Sequence, residues 1–229
     1  MATFEGFLLK LEKYMGGLFL QAILDTVIML VGTMLLAVFF GLMVGVLLTL
    51  TRKDGLRPNK RVYQVLDFTV NFIRSFPIMI LIVALLPVTR AVMGTALGVK
   101  GAIFPLSVAA TAYMARIFEN AMIEVDSQLV EAAKSFGASD LQIIFKVSLK
   151  EAIPSIVSGT TLATVSYLSA TTIAGAIGAG GLGSVAINYG YHRFDDFILY
   201  TGVIILCILV QIIQYGGKVA YNWVSRCKK

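Results

Sequence analysis

From Thr26 to Thr51 the chain runs 26 residues without a charge, TVIMLVGTMLLAVFFGLMVGVLLTLT. About 20 such residues cross the hydrocarbon of a bilayer as a helix, and a helix apolar on every side has no face to offer water. The remainder agrees: of 229 residues 58% are hydrophobic and 14% charged, with a mean hydropathy of +0.84, whereas soluble domains carry about 25% charged residues. Water is not the main solvent of this chain. The fold class that follows is all-α and integral to a membrane.

Further apolar segments extend the count to five. A second span covers about 62–87, interrupted by Asp67 and Arg74, and a third about 101–125, shortened by Arg116 and Glu119. No charge appears between Glu151 and His192, too long for one crossing; this reads as a helix to about Ile173 followed by a glycine-rich stretch. The fifth span runs from Phe197 to about Val219. Ahead of the first, Phe4, Phe7, Leu8, Leu11, Met15 and Leu18 recur at helical spacing with Lys10 and Lys13 elsewhere on the wheel. That pattern predicts an amphipathic surface helix over 1–20. The N-terminus has no basic start and cleavage site, so this segment is expected to remain on the mature protein.

Five crossings put the two ends on opposite sides, and basic residues orient them. The 52–61 loop, the loop between spans three and four and the C-terminal tail hold twelve Lys and Arg, against five on the other side (Lys10, Lys13, Arg90, Lys100 and Arg193). The N-terminus is therefore expected outside and the C-terminus in the cytoplasm. The formal charge of +6 is spread between apolar runs, which suits loops beside anionic lipid and not nucleic acid. Two cysteines and one histidine, His192, provide neither a disulfide framework nor a metal cluster.

The glycine stretch, GAIGAGGLG over 175–183, contains the G-x-G-x-x-G spacing of a dinucleotide-binding turn, with Asp196 about where a ribose-binding acid would lie. That fingerprint works only between a buried strand and a helix. Here it follows a membrane helix, on the expected outer side, so the nucleotide reading fails. The glycines suit close packing, or contact with substrate.

Polar residues inside the spans need protein or a watery cavity around them, since a central charge costs roughly 2.5–3.5 kcal/mol on insertion scales. Gln64, Asp67, Asn71 and Arg74 share one stripe of a helix, suited to a structural contact with a neighbouring helix or to substrate. Pro77 is expected to bend the span beyond Arg74. Arg116 with Glu119 or Asn120 fits an internal pair. In the fourth span Ser169, Thr172 and Ile173 are candidate gate residues, although the threonines can also bond to their own helix carbonyls.

The segment DSQLVEAAKSFGASDLQIIFKVSLKEAIPSI, 126–156, carries the densest local signals outside the membrane. Asp126 or Ser127 caps a first short helix, Gly137 sits where a left-handed C-terminal cap belongs, and Ser139 with Gln142 forms a capping box for a second. The result is a helix-Gly-helix elbow. Leu129, Ala132, Ala133 and Phe136 lie on one face, and Leu141, Ile144 and Phe145 on the next. It suits either a loop packed on its own helix ends or a dock for a partner.

These residues resemble a known pattern. Glu131-Ala132-Ala133, Gly137, Val147 and Leu149 match the EAA loop of permease subunits of ATP-binding-cassette (ABC) importers, with Lys150 where that loop usually ends in proline. Four further stretches, NFIRSFPIMILIVALLPVTRAVMGTALG, ARIFENA, GAIGAGGLG and NYGYHRFD, are similar to the methionine-importer permeases. The resemblance implies a type I ABC importer permease fold, a single transmembrane domain over 1–229, and a cytoplasmic coupling loop over 126–150. In it, Glu131, Ala132, Ala133, Gly137, Ala138, Ser139 and Leu141 would meet an ATPase.

It further implies a homodimer in the bacterial cytoplasmic membrane that imports methionine of either hand and its analogues. Two cytoplasmic ABC ATPase subunits would bind ATP and magnesium, and an external substrate-binding lipoprotein would deliver the cargo. The pathway is implied to follow the fourth span. No G-x-x-x-x-G-K-[ST] loop occurs in the chain itself, so it is expected to be no enzyme and to hold no cofactor. A sister importer for another amino acid or osmolyte is the nearest alternative. A stand-alone transporter would need ion-coupling groups at the midplane, where Asp67 is the sole acid.

Overall fold

The computed structural model describes residues 15–226, and within them every regular element is helical, with no strand. A π-helical turn, Met15–Phe19, leads into α1 (Leu20–Thr51). There follow α2 (Lys60–Ser75), α3 (Ile78–Ala84), α4 (Leu86–Met93), α5 (Gly98–Ile123) and α6 (Ser127–Ser135). A short α7 (Asp140–Gln142) passes through a π-helical turn (Ile143–Ser148) into α8 (Leu149–Ala174). After the glycine segment come α9 (Gly181–Ser184) and α10 (Asp196–Arg226).

Four stretches are long and apolar enough to cross a bilayer, namely Gly16–Thr51, Gly98–Ile123, Asp140–Ala179 and Asp196–Arg226. The bent pair α2 and α3 makes a fifth if taken as one span. The break falls where the proline requires it: α2 ends at Ser75, and Phe76 is extended (φ −75°, ψ 133°) ahead of Pro77.

Contacts group the described residues into two compact units. One comprises the described residues up to Thr33 with Ile78–Leu106 and Ser166–Gln211; the other comprises Met34–Pro77, Ser107–Val165 and the described residues from Ile212. The first unit has a core of Phe19, Ala22, Leu182, Val185 and Ile198. The core of the second is Leu48, Val70, Ala112 and Ala115, with Tyr63 and Leu66 packed against it.

Several boundaries differ from those expected. Of the amphipathic segment, Phe4, Phe7, Leu8, Lys10, Leu11 and Lys13 lie outside the described residues. Met15–Phe19 is continuous with α1, and Phe19 is fully buried. The first crossing thus begins ahead of Asp25. That carboxylate accepts a hydrogen bond from Gln21 one turn earlier (3.0 Å), so the charge does not end the helix. The second arm of the elbow is not a separate short helix. Lys150 keeps the N–H that a proline would remove, and the helix begun at Asp140 runs through the π-helical turn and past Pro154, which removes one ladder bond without ending it, to Ala174.

Candidate functional site

The elbow is assembled from local capping bonds. At its start the Asp126 carboxylate accepts from the Gln128 N–H (2.9 Å), satisfying a donor that the first turn of α6 leaves open. At the corner the Ala138 N–H returns to the Ala133 carbonyl (3.1 Å) and the Gly137 N–H to that of Lys134 (2.9 Å), a closing turn of the Schellman type. Gly137 has φ +76°, a conformation in which a side chain is strained. The second arm opens with the expected reciprocal box: Ser139 Oγ accepts from the Gln142 N–H (3.4 Å), and the Ser139 N–H donates to Gln142 Oε1 (2.9 Å). A coupling surface needs apolar side chains in the open. Phe136 is 91% exposed and Leu141 58%, with Leu129, Glu131, Ala132 and Phe145 also exposed. Ile144 turns inward and is buried.

In the same unit, Arg116 of α5 gathers the polar stripe of α2. Its guanidinium donates to Glu119 Oε2 (2.5 Å), Asp67 Oδ1 (2.6 Å) and Asn71 Oδ1 (3.0 Å). Tyr63 donates from its hydroxyl to the other Glu119 oxygen (3.2 Å). Glu119 is 1% exposed, and a buried carboxylate is tolerable only when paired and hydrogen-bonded in this way. The Arg116 to Glu119 pair follows from their three-residue spacing. Asp67 is held by Arg116 and not by Arg74, which instead lies over the Tyr113 ring with Cζ 5.7 Å from its centroid. The sequence reading overlooked Tyr63 and Tyr113. Tyr63 is four residues before Asp67 on the same stripe, a usable signal, whereas Tyr113 lies on another helix.

In the other unit, Thr172 Oγ1 donates to the Ser169 carbonyl (2.7 Å) and Thr171 Oγ1 to that of Leu168 (2.7 Å). Both hydroxyls donate to their own helix and keep acceptor capacity; of the gate candidates, Ser169 and Ile173, one turn apart, are exposed, and Thr172 is half-buried. The glycine segment folds back onto this region. Helical geometry fails at Ile177 and Gly178, and α9 restarts with the Leu182 N–H donating to Thr26 Oγ1 (2.8 Å). At Gly183 any Cβ would strike the Thr172 backbone. The glycines here pack helix against helix. Among the described residues no strand precedes them, and no cradle of the dinucleotide-binding kind is formed.

These features define an all-α, multi-span membrane protein with a capped, exposed elbow between its third and fourth crossings. A model of the family described as "Binding-protein-dependent transport system inner membrane component" matches residues 37–216. The probable D-methionine transport system permease protein MetI of Vibrio cholerae is 46% identical over 177 residues, 77% of this chain and 79% of that protein. The methionine import system permease protein MetP of Bacillus subtilis is 40% identical over 180 residues, 79% of this chain and 81% of that protein. A structure of the MetNI methionine ABC transporter, in an inward-facing conformation, superposes with a TM-score of 0.88 at 36% identity, covering 90% of this chain and 95% of that one. The chain belongs to the family of binding-protein-dependent transport system inner membrane components. Its fold is the type I ABC importer permease fold, and it is a non-catalytic membrane component, the permease subunit of an ABC transporter.

Proposed function

We propose that this permease imports methionine, of either hand and with its analogues, as a homodimer served by two cytoplasmic ABC ATPase subunits and an external substrate-binding protein. The observation that carries the reading is the capped elbow with Phe136 and Leu141 exposed, in a chain 46% identical to a permease named for D-methionine transport. ATP and magnesium are held by the partner ATPase. The 1–229 chain acts as one permease domain whose N-terminus lies outside and whose C-terminus, with the 126–150 loop, lies in the cytoplasm.

Coupling follows from the elbow's construction. Glu131, Ala132, Ala133, Gly137, Ala138, Ser139 and Leu141 form the surface the ATPase grips. Small Ala132 and Ala133 admit close approach, and Glu131 fixes register. The caps at Asp126 and Ser139 stiffen the two arms, and displacement of α6 passes through Gly137 into α7 and along α8, which is continuous with it. Ser169, Thr172 and Ile173 lie farther along α8 and gate the path. Asp67, Asn71, Arg74, Arg116 and Glu119 hold α2 to α5 and serve the scaffold, not the cargo.

Copurification and reconstitution test this. In mild detergent the chain is expected to retain an ATPase, and in vesicles methionine delivered by the binding protein should stimulate ATP hydrolysis and uptake together. A purified chain that moves methionine unaided, or hydrolysis stimulated only by another amino acid, would overturn the assignment.

A further inference from the structure

Residues 52–59 join α1 to α2 and play no part in the reading above. They are not a slack linker. The Arg57 N–H returns to the Leu50 carbonyl (3.0 Å), the Asn59 N–H to that of Thr51 (2.9 Å), and the Gly55 N–H to that of Arg52 (2.9 Å). At the far end the Asn59 side chain caps α2 by accepting from the Val62 N–H (3.2 Å). The loop is thus strapped to the end of α1 and built into the start of α2.

From this fixed loop, Arg57 Nε reaches Asp140 Oδ2 at 2.5 Å, across 83 residues of sequence. Asp140 is the first residue of α7, directly after the Ser139 cap and three beyond Gly137. Toward the other arm the relation is different. Arg52, Gly55 and Leu56 of the loop, together with Glu131 and Lys134 of α6 and Ile144, line a cavity of about 400 Å³. The start of α7 is bonded to the loop, and α6 faces the loop across this cavity, with Ile144 of the second arm on its wall.

We propose that the 52–59 loop is the abutment against which the elbow works, with the Arg57–Asp140 ion pair as its latch. This inference rests on the coupling role proposed for the elbow. With α7 latched, a push on α6 is carried through Gly137 against a fixed loop and turns α7 and the continuous α8 about the latch, bringing α6 toward the loop across the cavity. Without the latch α7 has no fixed point, the elbow slides along the loop, and part of the push no longer turns α8. Arg57 and Asp140 are positioning residues, since neither lies on the path of the cargo. The Arg57 side chain is 71% exposed and that of Asp140 29%, so replacing Arg57 leaves a carboxylate that water still reaches, and the chain still folds.

The test uses the complete complex, permease with its ATPase and binding protein, in proteoliposomes, reading labelled methionine imported per ATP hydrolysed. Arg57→Glu and Asp140→Lys are each expected to lower that ratio about threefold to fivefold, the scale on which an exposed ion pair acts. The exchanged pair, Arg57→Glu with Asp140→Lys, should recover to within about twofold of the starting ratio, as interacting neighbours do in a double-mutant cycle. Arg57→Lys, which keeps the charge, should stay near it. Single variants that keep the original ratio, or an exchanged pair no better than the worse single, would overturn the latch. Gly137→Val, run beside them, separates the two ideas. If it uncouples while the latch variants do not, the latch alone is wrong; if it too transports normally, the elbow reading falls and takes the latch with it.

Discussion

The elbow at 135–140 and the glycine segment at 175–183 are both helix breaks centred on glycine, yet they are built in opposite ways. Gly137 has left-handed φ with open space where a Cβ would stand, and its neighbours' caps supply the bonds that hold it. The space beside Gly183 is instead filled by the backbone of Thr172, and the following helix begins on a hydroxyl from α1. One break is specified by its own few residues and left with a free surface. The other is specified by what is packed on it. A break of the first kind can pivot and meet a partner; one of the second kind holds helices in place. Arg57 and Arg116 repeat the contrast among charges, the former exposed on a loop and the latter at the centre of an enclosed cluster.

Breaking the enclosed charges should have the largest effect. Arg116→Ala leaves Glu119 and Asp67 without their cation and should cost about 3–5 kcal/mol, read as a fall in the thermal midpoint of the detergent-solubilised subunit. A shift no larger than that of Arg57→Ala would erase the distinction between the two arginines.

Next comes the packed break. Gly183→Ala forces a methyl into the Thr172 backbone and is expected to destabilise by about 1–3 kcal/mol, with Gly137→Ala costing about 1–2 kcal/mol through left-handed strain alone. Trimming neighbouring side chains relieves neither a backbone collision nor a φ penalty, so cysteine accessibility is what distinguishes the two breaks: a cysteine at 138 should label readily, whereas one at 182 should resist modification until the unit opens.

The smallest effect belongs to the local caps. Ser139→Ala removes one half of the capping box and should cost about 1 kcal/mol or less. Its signature is increased amide exchange confined to the first turn after Gly137, with α10 unaffected. Exchange spreading across the second unit would mean that the elbow is held by packing after all.

The same division explains what could be read in advance. The caps at Asp126 and Ser139, the glycine corner, the proline break after Arg74 and the Arg116–Glu119 pair all depend on residues at most a few positions apart, and all appear in the structure as the spacing predicts. Asp67 was placed on the right stripe but with its partner open, because that partner lies 49 residues away on another helix. Ile144 was grouped with exposed Leu141 and Phe145; periodicity gives a face, but whether that face is covered depends on what packs over it. The far end of the elbow was misjudged for a related reason, since a helix stops only where a breaker or a cap makes stopping cheaper than continuing, and none intervenes before α8.

Sequence alone determined the solvent, the helical class, the number of spans and the capped corner of the elbow, because hydropathy and capping are short-range and act on neighbours along the chain. Only the tertiary structure decided which charges meet, which glycines are pressed against backbone, and that a strapped loop reaches the elbow from 83 residues away. Those contacts depend on where separate helices come to lie in space, and the helical repeat of each one is silent about its neighbours.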